Sequence, residues 1–89
     1  MERPKLTRRE REIVRLVSLG CSTHEICTIL DLTESTVSNH RYNAMQKLRT
    51  DKVALLTRLD MKYRFTPFDD KLTGEEKRLS GRRFDGWNY

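Results

Sequence analysis

Apolar positions along the chain fall into four groups at helical spacing, each introduced by a residue that can cap a helix. In the first, Ile13, Val14, Leu16 and Val17 follow Thr7-Arg8-Arg9-Glu10. That tetrad is a capping box, whose hydroxyl and carboxylate satisfy backbone N–H groups orphaned at the start of a helix. Gly20 suits a left-handed stop. Ser22-Thr23-His24-Glu25 is a second capping box ahead of Ile26, Cys27 and Leu30, and predicts a short helix. Asp31-Leu32-Thr33 predicts a tight corner, with Asp31 tolerating a left-handed backbone and Leu32 turned inward. Thr33 or Ser35 caps a third helix running to about Leu48. Asp51 is expected to cap a fourth, carrying Val53, Ala54, Leu55, Leu56, Leu59 and Tyr63. No window alternates as a strand would, so the expected fold class is all-α.

The third helix differs from the others. Its apolar strip is narrow, with Val37, Ala44 and Leu48 facing inward and His40 at the edge. Small polar, amide and basic groups fill the rest. Such a face builds little core, but it suits a polar, negatively charged surface such as the DNA major groove. Short helix, tight corner and longer helix form a helix-turn-helix, with the third helix as reader and the second across its back.

Charge agrees with that reading. The 89 residues carry a formal net charge of +5. Up to Phe65 the chain has thirteen Lys and Arg against eight Asp and Glu, so the whole excess lies there and the remainder is neutral. A basic domain points to a polyanion, although a plain solvated surface would look the same by charge alone. No signal peptide is visible at the N-terminus, and no apolar run approaches the ~20 residues that span a bilayer. A cytoplasmic, nucleoid-associated protein without membrane contact is expected, its two cysteines reduced.

These features together resemble the LuxR-type (GerE- or FixJ-type) DNA-binding domain of bacterial transcription regulators. The resemblance rests on Leu6-Thr7-Arg8-Arg9-Glu10-Arg11-Glu12-Ile13, Gly20, Glu25-Ile26 and Leu30. Most specific are Thr33-Glu34-Ser35-Thr36-Val37, Asn39-His40 and Lys47-Leu48. It runs without gaps from about Leu6 to Tyr63. It implies a four-helix domain over residues 6–65 that binds double-stranded DNA as a homodimer, with the fourth helix forming the dimer contact. Only five residues precede Leu6, which implies a stand-alone regulator. The chain departs from the family where Asp31 and Arg49 replace frequent glycines, where Ala44 replaces a branched residue, and where Ile29 and Leu55 are apolar instead of polar. Lysines common in the family are replaced by Ser38 and Tyr42, which implies a different site preference.

Helical spacing places Ser38, Asn39, Tyr42 and Asn43 outward as candidate base-edge contacts. Asn can pair bidentately with adenine, Ser can donate or accept, and Tyr can hydrogen-bond or lie on a thymine methyl. The alternative for Asn39 is an ordinary solvated amide. Candidate phosphate contacts are Thr33, Ser35 and Thr36 at a helix N-terminus, Arg41 and Lys47 along the same helix, and Thr23 and His24 at the start of the second. Thr36 can equally serve as a cap, and Arg49 as solubilising charge. Val53, Ala54, Thr57 and Met61 form a second stripe on the fourth helix, suited to a partner subunit. Leu16 and Leu19 belong to the core.

Cys21-x-x-His24-x-x-Cys27 lacks the close cysteine pairs and convenient fourth ligand of a zinc site, so Cys27 is expected as a buried thiol and no metal or cofactor is expected. An enzyme is disfavoured by the lack of a Gly-rich phosphate loop, a nucleophile–base pair or a carboxylate pocket. Two other readings remain. One is the promoter-reading domain of a sigma factor. The other is a heterodimerising interaction module that keeps the fold and not the DNA. Residues 66–89 form a polar, aromatic and mostly irregular C-terminal extension in which Thr73-Gly74-Glu75-Glu76 can cap one short helix through Leu79. Its Phe68, Phe84 or Trp87 is expected to dock on Ile29 or Leu55, or to bind RNA polymerase or another regulator.

Overall fold

The computed structural model describes residues 3–67 and 69–82. Among them are five helices and no strands: α1 (Arg8–Ser18), α2 (Thr23–Leu30), α3 (Glu34–Lys47), α4 (Ala54–Tyr63) and α5 (Gly74–Ser80). The resemblance implied four, and the fifth begins where the Thr73 capping box predicts it.

Local chemistry sets most of the boundaries. Thr7 Oγ1 accepts from the Glu10 N–H at 3.1 Å while the Glu10 carboxylate accepts from the Thr7 N–H at 2.9 Å. Ser22 with Glu25 and Thr73 with Glu76 repeat the device. Thr33 caps α3, so Ser35 does not have to. Asp31 ends α2 with φ 55° and Arg49 follows α3 with φ 57°, so both substituted glycine positions do take the left-handed backbone. That conformation is tolerable for Asp and less usual for Arg. The expected Asp51 cap is absent: Val53 occupies the N-cap position of α4, with no side-chain cap hydrogen bond. Thr50 takes over, its hydroxyl accepting from the Lys52 N–H at 3.1 Å in the turn before α4.

Two apolar clusters share α1. Ile13 and Leu16 pack with Leu19, Cys21, Ile26, Val37 and Leu72, while Val14 packs with Ala44, Met45, Leu48 and Leu56. Adjacent Ile13 and Val14 thus point into different clusters, and α1 becomes the post against which the helix-turn-helix and α4 are both set. Full burial of each Val, Leu or Ile side chain among them contributes about 1.5–3 kcal/mol. Met45 and Leu48 are buried in the same cluster as the small Ala44. Cys21 is the buried thiol, with Cys27 only half-buried beside the same cluster, the reverse emphasis to that expected. Burial pushes the Cys21 thiol's pKa up, keeping it protonated.

The segment after Phe65 is more than a tail. Leu72, 2 % exposed, completes the first cluster. Arg15 Nε donates to Asp70 at 2.6 Å and Nη1 to Glu76 at 2.7 Å, tying α1 to the extension. Hydrogen bonding to Glu76, then to Asp70, outweighs burial and raises the Arg15 pKa further. Arg82 reaches back to donate to the Leu19 carbonyl at 2.7 Å. Helix α5 lies along α2 with Leu79 near Ile29. Phe68, Phe84 and Trp87 lie outside the described residues, and Leu55 stays 42 % exposed.

Candidate nucleic-acid interface

Helix α3 is anchored through Val37, Ala44 and Met45, with Leu48 just beyond its end. Positions 37, 44 and 48 are seven and four residues apart, with Met45 beside 44, which keeps them on one side of the helix, so the opposite side must turn away from the core. Asn39 and Asn43 are exposed there, Tyr42 is 61 % exposed, and Ser38 is half-buried at the edge. None of these four side chains forms a hydrogen bond with another described residue. Ser38, Asn39, Arg41 and Tyr42 line a shallow depression of about 440 Å³ together with Met45 and Val53. Met45 was not among the sequence candidates; it belongs to the buried side, at 9 % exposure, and reaches this depression only at the border between the two sides.

At the N-terminus of α3 three hydroxyls converge. Thr33 Oγ1 lies 2.9 Å from Thr36 Oγ1 and 3.3 Å from Ser35 Oγ, and it accepts from the Thr36 N–H at 3.2 Å. Thr33 and Thr36 therefore act as cap and cap partner as well as surface hydroxyls. The exposed Glu34 carboxylate in the same turn works against an anion there. Further along, Arg41 Nη1 donates to Thr23 Oγ1 at 2.7 Å, joining the middle of α3 to the first residue of α2. His24 is exposed next to it.

Lys47 stands apart from this cluster. Its ammonium lies 2.8 Å from the Glu10 carboxylate, which is almost wholly buried. Burial works against ionisation of Glu10, but the bonds from Lys47 and the Thr7 backbone together outweigh it, leaving its pKa below the ordinary value. Lys47 thus compensates a buried charge within the chain, and its phosphate role would compete with that bond. On α4, Val53, Ala54 and Met61 are exposed and Thr57 is half-buried. Steps of four residues keep Val53, Thr57 and Met61 on one face. Among the described residues no three His, Cys, Asp or Glu side chains form a group able to hold a metal, and no helix is long and apolar enough to cross a membrane.

Comparison with known proteins agrees with this geometry. Residues 4–59 match the family described as bacterial regulatory proteins, luxR family. The spore germination protein GerE of Bacillus subtilis (strain 168) is 50 % identical over 46 residues, covering 52 % of this chain and 62 % of that protein. The response regulatory protein YgeK of Escherichia coli (strain K12) is 46 % identical over 44 residues, 49 % of this chain and 30 % of its own length. The CsgBAC operon transcriptional regulatory protein of the same organism is 42 % identical over 43 residues, 48 % and 20 % respectively. The chain thus spans under two thirds of each of these relatives. No solved structure gives a significant match. A helix-turn-helix set on α1, inside a family match reaching from residue 4 into α4, makes the chain a member of the luxR family of bacterial regulatory proteins, with a DNA-binding domain of that type.

Proposed function

We propose that the chain binds duplex DNA sequence-specifically with α3 in the major groove, as a homodimer paired through α4, and so regulates transcription on the nucleoid. The observation that carries this is the polar side of α3. Ser38, Asn39, Tyr42 and Asn43 have no hydrogen-bond partner among the described residues, while the other side of the same helix is buried. Amide and hydroxyl groups left without partners among the described residues, along the first ten residues of such a helix, are positioned to reach base edges.

Arg41 and Thr23 support the phosphate contact. The guanidinium sits at the N-terminus of α2, where the helix dipole is already positive. Two like charges brought together in this way favour an anion, and a DNA phosphate between Arg41, Thr23 and His24 supplies one. Thr33, Ser35 and Thr36 add hydroxyl donors on the other side of the reading face. Pairing through Val53, Ala54, Thr57 and Met61 covers exposed apolar surface and couples two weak half-sites into one specific one.

Titration of the chain against a random duplex at two or more salt concentrations tests the phosphate part. The expected binding weakens with salt at a log–log slope of about −0.9 per phosphate engaged. Arg41→Ala is expected to flatten that slope by about one. Absent or salt-insensitive binding would instead assign the α3 face, with its exposed Tyr42, to a protein partner.

A further inference from the structure

The C-terminal end of α3 and the outer flank of α4 enclose a groove of about 470 Å³. Leu48, Leu55 and Leu59 supply its apolar lining, and Arg49, Arg58 and Lys62 its rim. It is separate from the α3 reading face and borders the dimer stripe. On α4, positions 55 and 62 lie on a different face from 53, 57 and 61, with Arg58 one turn after Ala54 at the boundary, and on α3 the groove begins beyond the end opposite Thr33.

Two independent features mark it. Leu55 is 42 % exposed in a domain with little apolar residue to spare, and nothing among the described residues of the extension covers it. Arg49, Arg58 and Lys62 form no ion pair with a described residue; the same holds for Lys5, Arg11, Arg41, Lys52 and Arg64 elsewhere, but here three such cations line one apolar groove. Lys62 has only the ring of Tyr63, at 5.2 Å. Three cations around one apolar groove repel one another, and a negatively charged occupant relieves that repulsion.

We propose that this groove docks an acidic peptide segment of a partner protein. An apolar side chain of the segment seats on Leu48, Leu55 and Leu59, while flanking Asp or Glu carboxylates meet Arg49, Arg58 and Lys62. Charge complementarity selects an acidic partner, and the leucine floor selects a peptide over a nucleic-acid backbone, whose phosphates gain nothing from aliphatic contact. Because the groove is distinct from the α3 reading face, the segment and DNA can be held together, which suits a partner recruited to a DNA-bound regulator.

The test uses the whole chain and a fluorescein-labelled synthetic peptide with Phe and Leu one helical turn apart among Asp and Glu residues. Two control peptides carry Ser in place of the apolar pair, or Lys in place of the acids. Fluorescence anisotropy is expected to show saturable binding of the first peptide and binding weaker by about tenfold or more for both controls. Leu55→Ser and Arg58→Glu are each expected to weaken the first peptide about tenfold while leaving the melting temperature and the DNA affinity within about twofold of the parent. The proposal is overturned if the three peptides bind alike or none binds, or if neither substitution matters. It is also overturned if duplex DNA displaces the peptide and Arg58→Glu weakens DNA binding instead, which would make the rim a phosphate contact. DNA affinity is measured separately, so loss of the peptide result leaves the α3 reading standing, and the converse holds too.

Discussion

Helices α1 and α3 lie against each other, yet they treat their polar groups in opposite ways. On α1 the buried or half-buried charges are matched inside the chain: Glu10 by Lys47 and the Thr7 backbone, Arg15 by Asp70 and Glu76. On α3 the polar groups at 38, 39, 42 and 43 are matched by nothing among the described residues. A buried charge without a partner is too costly to keep, so α1 shows how a helix looks when it serves the fold. A polar face open to water costs the fold almost nothing and contributes almost nothing to it. Its composition is then free to suit another molecule.

The contrast can be broken most forcefully at the core. Ile13→Ala on α1 should cost about 2–5 kcal/mol in denaturant unfolding, with the DNA site preferred by the remaining folded molecules unchanged. A changed preference would mean that α1 shapes the reading face directly. Truncation after Phe65 should cost about 2–4 kcal/mol, mostly from the loss of buried Leu72, with a smaller share from the partly exposed Arg15 pairs. Base preference of the folded molecules should be spared, because the extension packs on α1, α2 and, through the Thr66 hydroxyl on buried Asp60, on α4, all away from the face of α3. An unaltered melting temperature would contradict the place of Leu72 in the core.

Lys47→Met probes a smaller effect. It leaves the buried Glu10 carboxylate with only its backbone and hydroxyl contacts and should cost about 1 kcal/mol at neutral pH, because Lys47 is still partly in water. The folded pKa of Glu10 is lowered from 4.5, so the pair stabilises the fold above that value and loses its effect as pH falls through the folded value. The difference between parent and variant should therefore shrink on acidification below about pH 4.5. A gap that widens in acid would refute the pairing. A salt slope of DNA binding flattened by about one would show that Lys47 leaves Glu10 for a phosphate.

Legibility in the sequence followed the range of the interaction. Thr7, Ser22, Thr33 and Thr73 announce their helices because a cap and its target lie three residues apart, and Asp31 could be assigned its left-handed turn from its own side-chain chemistry. The outward side of α3 was legible because helical spacing fixes it once Val37, Ala44 and Leu48 are inside. Arg15 meets Asp70 and Glu76 across 55 and 61 residues, and Lys47 meets Glu10 across 37, distances over which no local pattern signals a pair. Leu72 stands alone between Lys71 and Thr73, without the apolar neighbours that give a core position away. Asp51 misled for the opposite reason: it has the right chemistry for a cap, but Thr50 one residue earlier took the local hydrogen bond.

Selection from randomised duplexes by the parent chain and by Asn39→Ala addresses the reading face itself. Asn39→Ala should leave stability within about 0.5 kcal/mol, since the exposed amide hydrogen-bonds to no described residue. It should relax the choice at one base pair per half-site by about 1–3 kcal/mol, with the other positions retained. Identical selected sequences from both proteins, at equal stability, would contradict the placement of this amide on a base edge.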